Sequence, residues 1–239
     1  MARRFIIDKD IEINEKFEIL GEEAKHIMVL RHNVGDTILV NDKICKINSI
    51  TKQAVDCIAI EQAEEKGIPD TKITLFQALL KSDKMEFVIQ KSVELGVYKI
   101  EPFSSKNVVV KLDDKDKIKK VERWNKISLE ASKQCGRSDV VNIGAVNTFS
   151  EMLDKLKDFE LVIIAYENEI NSLKNIIREK LEVKNIAIII GAEGGFEKGE
   201  VEEVLKNENA VSVSLGERIL RAETASLNLL SILMYEFEL

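Results

Sequence analysis

The sequence is poor in several residue types that carry recognisable chemistry. It has two histidines (His26 and His32), three cysteines (Cys45, Cys57 and Cys135), two prolines and one tryptophan. With no CxxC pair and no cysteine near the histidines, no metal site is expected. An odd, scattered set of cysteines points to reduced core thiols in a cytosolic protein, not to a disulfide framework. Long apolar runs are missing too. The longest, LVIIA at 161–165 and IAIII at 186–190, have the length of buried strands and fall far short of a membrane span. Arg3 and Arg4 precede only FII, too little for a signal-peptide core, so a cytoplasmic chain with no membrane segment is expected. Two phosphate-binding signatures are absent as well: there is no GxxxxGK[ST] and no GxGxxG.

What is present is an ordinary globular composition. Of 239 residues, 45% are apolar, enough for a sizeable core, and 32% are charged with both signs interspersed. The formal net charge is -7, which argues against non-specific coating of nucleic acid but leaves room for a local basic face.

The pattern changes near residue 70. Before it, RRFII, TILVND, KICKINSI and AVDCIAI read as short β-branched strands, with one helical stretch, GEEAKHIMVL, between them. Strands at this spacing suggest a small barrel over 1–68. EQAEEKGIPD, polar and carrying Gly67 and Pro69, reads as a linker. Beyond it, over 71–239, apolar strands alternate with helical segments. KITLFQAL, YKIEPF, VVNIGAV, ELVIIAY, KNIAIII and AVSVSL are the strands. Helices are expected at 83–96, 117–136, 149–158, 171–181, 199–207 and 223–237. Such alternation predicts an α/β domain whose mostly parallel sheet is covered on both faces.

Ligands of open α/β sheets bind beyond the carboxyl ends of the strands. Two glycine-bearing loops follow apolar strands there, GAEGGFEKG from Gly191 and LGERILRAETAS from Leu215. Each alone could be a tight turn. Two of them late in the chain point to one pocket. Glu193 and Glu197 would repel a pyrophosphate, so a cationic or neutral guest fits better. S-adenosylmethionine, with a sulfonium, an ammonium and no phosphate, is such a guest. In the second loop Glu223 and Thr224 suit a helix start, or catalysis equally. Arg221, between Leu220 and Ala222, reads as a carboxylate clamp or an anion grip on substrate. Arg137, after the helix stop at Gly136, either satisfies the last carbonyls of that helix or faces a phosphate or base. Arg3, Arg4, His26, Arg31 and His32 form a cationic set in an otherwise acidic segment, and the lysines of 106–120 form a second. Solvated surface is the plain alternative for both.

Taken together, HIMVLRHNVGD, IQKSVELGV, EASKQCGR, IIIGAEGGF and SLGERILRAETAS resemble the RsmE family, bacterial 16S rRNA (uracil-N3)-methyltransferases of the SPOUT superfamily. The likeness runs along nearly the whole chain in matching order. One position departs: the family loop usually reads GPEGG, and Ala192 stands where the proline would be. Alanine keeps the same backbone geometry accessible at some entropic cost.

The resemblance implies a SPOUT fold with a C-terminal trefoil knot, a PUA-like N-terminal barrel that holds RNA, and a homodimer. It implies S-adenosylmethionine held by Ile190, Gly191, Glu193, Gly194 and Gly195 from one loop and Leu215, Gly216, Ile219 and Leu220 from the other. It implies methyl transfer to N3 of a uridine of the small ribosomal subunit. Arg221 is the first candidate to stabilise the uracil anion and Arg137 the second. Glu193, Glu223, Glu94 or a water could serve as base. Arg3, Arg4, His26, Arg31 and Arg137 are the candidate RNA contacts. A non-catalytic RNA-binding protein that kept the fold is the rival, and it would lack cofactor affinity. An ordinary nucleotide-binding enzyme is weakened by the missing phosphate signatures.

Overall fold

A computed structural model of the chain describes residues 4–110, 112–179 and 182–238. They form two compact units: residues 1–68 with 132–139, and residues 69–131 with 140–239.

The first unit is built on a mixed sheet of β1 (Arg4–Phe5), β2 (Lys16–Leu20), β3 (Thr37–Val40), β4 (Lys43–Ile50) and β5 (Ala54–Gln62), with α1 (Gly21–Val29) after β2. The spatial order is β1-β3-β4-β5-β2. β1 runs parallel to β3 and the other neighbours are antiparallel. β1 and β2 are the two edges and do not pair among the described residues. Phe5, Phe17, Ile19, Ile27, Ile47 and Val55 meet in one core. β2 was not anticipated. Its charged Lys16 and Glu18 mask an alternation that buries Phe17 and Ile19 and leaves the others in water. Burial pushes the thiols of Cys45 and Cys57 up to about 11 and about 12, so both are inert core groups at neutral pH.

Residues 132–139 join this unit through polar ties. Lys66 N–H donates to Ser138 Oγ at 2.6 Å and Ser138 N–H to the Lys66 carbonyl at 2.8 Å. The Lys133 ammonium pairs with Glu23. Arg4, only 5% exposed, donates to the Arg137 carbonyl and, at 3.3 Å, to Ser138 Oγ.

The second unit carries six parallel strands: β6 (Lys72–Ala78), β7 (Lys99–Phe103), β8 (Asn142–Ile143), β9 (Leu161–Ala165), β10 (Asn185–Ile190) and β11 (Ala210–Val213). Its helices are α2 (Ser82–Glu94), α3 (Asp114–Cys135), α4 (Phe149–Lys155), α5 (Leu173–Glu179), α6 (Lys198–Val204) and α7 (Ala222–Glu238). α3 ends within the segment that groups with the first unit. β9 and β10 are buried on both faces, which is why they read as unbroken Val/Ile/Leu runs. α4 starts on a capping box, with Thr148 Oγ1 accepting from Glu151 N–H and Glu151 Oε2 accepting from Thr148 N–H at 2.7 Å.

The strand order is β11-β9-β10-β6-β7-β8. From β6 the chain moves outward to β7 and β8; from β10 it crosses β9 to reach β11. The connections leaving the adjacent strands β6 and β10 therefore diverge, and divergence opens a crevice at the carboxyl ends. After β11, at the sheet edge, the chain returns as α7 to pack on α2, β10 and β6. The loop before α7 thus passes over the strand ends. On α7, Leu229, Leu230 and Leu233 are fully buried and Tyr235 is 67% exposed.

Candidate cofactor cavity and active site

Three loops that leave β9, β10 and β11 wall a cavity of about 480 Å³ at the carboxyl ends of these strands. A volume of that order suits a small-molecule cofactor. The cavity is lined by Ile190, Gly191, Glu193, Gly194 and Gly195, and by Leu215, Gly216, Ile219, Leu220 and Arg221. The two loops singled out in the sequence therefore do share one site. Tyr166, Glu167 and Lys84, which sequence reasoning missed, line it too.

The first loop is fixed by Glu169. Its carboxylate accepts from Ser212 Oγ on β11 and from the N–H groups of Ile170, at 2.8 Å, and Asn171, at 3.1 Å. These bonds, the Ser212 hydroxyl foremost, hold the carboxyl below its usual range. Tyr166 N–H bonds to the Val213 carbonyl at 3.0 Å, so the segment around Glu167 is held beside β11.

The second loop turns through Gly195 N–H to the Ala192 carbonyl at 3.0 Å. Gly195 has φ +64°, and a Cβ there would lie 2.8 Å from Glu167 Oε1. Glycine is required both for the left-handed backbone and for the close approach of that carboxylate. Phe196 anchors the loop's far end, stacked on Phe103 with ring centroids 6.4 Å apart.

The third loop carries the exposed Arg218, Ile219 and Arg221. α7 follows directly, its first turn tied by Ala225 N–H to the Arg221 carbonyl at 2.8 Å. Lys84, on the first turn of α2, puts its ammonium 3.6 Å from Glu193 and 3.3 Å from Glu223 Oε2. That Glu223 oxygen is shielded from water and accepts no hydrogen bond, and Glu223 is not among the residues that line the cavity.

The remaining candidates lie elsewhere. Glu197 does not line the cavity and pairs with Lys106 Nζ at 2.8 Å; the carboxylate beside Glu193 is Glu167. Glu167 stands two residues past the strand-like LVIIA, and the rule that sites lie at strand ends could have found it. Glu94 is bound to Lys91 at 2.8 Å and does not line the cavity. Arg137 requires correction. It belongs to the first unit, is 3% exposed, and gives its Nε and Nη2 to Asp139 at 2.9 and 3.0 Å. A buried guanidinium satisfied this way supports the 132–139 segment and is not presented to a substrate. Arg4 is corrected likewise, because its guanidinium is buried and bonded to that segment. Arg31 is exposed, while His26 and His32 are half-buried with their rings edge-on to Phe5 at 5.9 and 6.0 Å. Arg3 lies outside the described residues. Among the described residues, no cluster of His, Cys, Asp and Glu could hold a metal ion, and no helix is long and apolar enough to cross a membrane.

A family model described as an RNA methyltransferase domain matches residues 47–234. Ribosomal RNA small subunit methyltransferase E of Bacillus subtilis (strain 168) is 38% identical over 100% of this chain and 98% of its own length. The protein of the same name from Mesomycoplasma hyopneumoniae (strain 232) is 34% identical over 97% of this chain and 98% of its own. The crystal structure of ribosomal RNA small subunit methyltransferase E from Neisseria gonorrhoeae, bound to S-adenosyl methionine, superposes with a TM-score of 0.89 at 25% identity, covering 99% of this chain and 98% of that one. The chain belongs to the RNA methyltransferase family whose members include the ribosomal RNA small subunit methyltransferases E.

Proposed function

We propose that this protein binds S-adenosylmethionine in the cavity and methylates N3 of one uridine in the 16S rRNA of the small ribosomal subunit. The observation that carries the reading is the meeting of the 191–196 and 214–221 loops around one cavity in a chain of this family. The residues fit the cofactor. Glu167 and Glu193 offer carboxylates to its two positive groups, and Ile190, Leu215, Ile219 and Leu220 offer apolar walls to its adenine. The absence of a Cβ at Gly195 leaves the Glu167 carboxylate in place at the wall.

Bound there, the cofactor supplies an electrophilic methyl group. The protein's own task is at the uracil. N3 carries a proton at neutral pH, and negative charge spreads to the ring oxygens as that proton leaves. Arg221, on the rim, donates to one of those oxygens and stabilises the charge as it forms. Glu223, two residues after Arg221 and 3.3 Å from the Lys84 ammonium, is the candidate to accept the proton. A paired base is out of reach, so the target nucleotide is unpaired or flipped.

The larger assembly belongs to the same proposal. The first unit acts as a PUA-like barrel that holds RNA, with Arg31 among its exposed cations. The return of the chain from β11 to α7 supports a trefoil knot. Exposed Phe87 on α2 and Tyr235 on α7 support a homodimer. Calorimetry with S-adenosylmethionine and mass mapping of small-subunit RNA treated with the protein test the reading. Micromolar binding and 3-methyluridine at one site are expected. RNA binding by folded protein with no affinity for the cofactor would overturn it in favour of a non-catalytic RNA-binding protein.

A further inference from the structure

We infer that Gln77 and Asn107 are positioning residues that hold the glycine loop in its binding shape by gripping its carbonyls. The inference rests on the cofactor reading of that loop. Gln77 sits at the carboxyl end of β6 and is fully buried. Its amide nitrogen lies 3.4 Å from the Gly191 carbonyl and 3.1 Å from that of Ala78. Its amide oxygen accepts from Ser226 Oγ on α7. Asn107 stands in the segment between β7 and α3, and its amide donates to the carbonyls of Gly194 at 3.1 Å and Gly195 at 3.4 Å. All three glycine carbonyls of the loop are therefore held by side-chain amides from two other segments.

The choice of amides follows from the site's chemistry. A lysine or arginine would also donate to a carbonyl, but it would add to the positive charge that Lys84 and Arg221 already bring to the cavity wall. An amide donates without charge. The second glycine is explained as well. A Cβ at Gly194 would lie 3.0 Å from Asn107 Cβ, so the grip of Asn107 needs glycine there. The Asn107 segment is itself braced. Lys106 N–H donates to Glu200 Oε1 at 2.9 Å and Lys106 Nζ to Glu197 at 2.8 Å. Glycine loses more backbone freedom on ordering than any other residue, and this loop carries three. When only a fraction of molecules holds the binding shape, apparent affinity falls by that fraction. The amides keep the fraction high.

The test uses Asn107→Asp and Gln77→Glu, which keep side-chain size but replace the donor with a carboxylate that faces carbonyl oxygens. Cofactor Kd by calorimetry should rise about tenfold or more, the equivalent of one lost hydrogen bond to the loop. Amide hydrogen exchange should quicken at 191–196 while β6, β7 and β9 keep their protection. The KM for cofactor should rise while kcat at saturation stays close to wild type. Gln77 is buried, and its variant can lose stability globally; half-buried Asn107 then carries the test alone. A wild-type protein that does not bind S-adenosylmethionine overturns the cofactor reading and this inference with it. A wild type that binds, beside a folded Asn107→Asp protein whose Kd lies within twofold of it, overturns this inference only.

Discussion

Gly195→Ala separates the backbone and the packing roles of the cavity loop. At φ +64° an alanine carries the cost of the left-handed region, about 1–2 kcal/mol. For a chain of this size that lowers the melting midpoint by about 2–8 °C. The added methyl also meets Glu167 Oε1 at 2.8 Å, too close to be accommodated without moving the carboxylate. Glu167 ends a flexible side chain, so it swings aside at little cost to the fold, but it leaves the cavity wall. Cofactor affinity should then fall by about tenfold or more, the value of one charge-assisted contact. Two further variants divide the effect. Gly199→Ala, within α6 and with no atom within 4 Å of its new Cβ, should raise stability by about 0.5–1 kcal/mol and leave affinity unchanged. In a Glu167→Ala background, Gly195→Ala should keep its stability cost and lose most of its further effect on affinity. Thermal melts and calorimetry on wild type, the three single variants and the double variant supply every number. A folded Gly195→Ala protein with Kd within twofold of wild type would refute the placement of this loop at the cofactor.

Arg221→Ala, at an exposed position, should melt within about 1 °C of wild type and lose about a hundredfold or more in single-turnover methyl transfer, and retained activity would remove Arg221 from the mechanism. Arg4→Met should destabilise the first unit by about 2–3 kcal/mol through lost buried hydrogen bonds. Arg31→Ala should leave the melt unchanged but weaken RNA binding and flatten its salt dependence; the reverse pattern in titrations would return Arg4 to the RNA surface. Burial pushes the Glu101 carboxyl up, but hydrogen bonds from Lys155, Lys99 and Asn147 outweigh it and leave the group below the usual range. A carboxylate depressed on folding stabilises fully above its unfolded pKa and loses that stability as pH falls through its folded value. Glu101→Gln should therefore cost about 1–3 kcal/mol near pH 7 and give a flatter melting curve from pH 5 to pH 3, and parallel wild-type and variant curves would contradict this.

The parallel-sheet strands of the second unit were legible because burial on both faces writes itself as unbroken apolar runs, as in LVIIA and IAIII. β2 was not, because KFEIL buries only two of its five residues and its charges read as surface. The two cavity loops were legible because two glycine-bearing loops follow apolar strands late in the chain, where one alone could have been a tight turn. Their supports were not. Gln77 and Asn107 act through carbonyls far away in sequence, and a single glutamine in KITLFQAL says nothing of where its amide points. Arg4 and Arg137 misled for a related reason. Arg4 in an acidic stretch and Arg137 after a helix stop both read as available cations until the Arg137 carbonyl and Asp139 are seen to hold them.

The glutamates around the cavity follow from what helix starts would otherwise do there. The N-terminus of a helix, with its unpaired N–H groups, ordinarily invites an anion. α2, α6 and α7 all begin just after loops that belong to this region, and each start already has its own carboxylate. At α2, Lys81 N–H faces Glu193 Oε1 at 3.5 Å. At α6, Glu197 N–H donates to Glu200 Oε2 at 2.9 Å. At α7, Glu223 occupies the first turn. Carboxylates at these helix starts oppose a phosphate by their charge. Glu193 and Glu167 add negative charge to the cavity wall, which suits the cationic cofactor proposed above. The strand-loop-helix scaffold that elsewhere cradles phosphates is thereby turned, with a handful of acidic side chains, into one suited to a sulfonium.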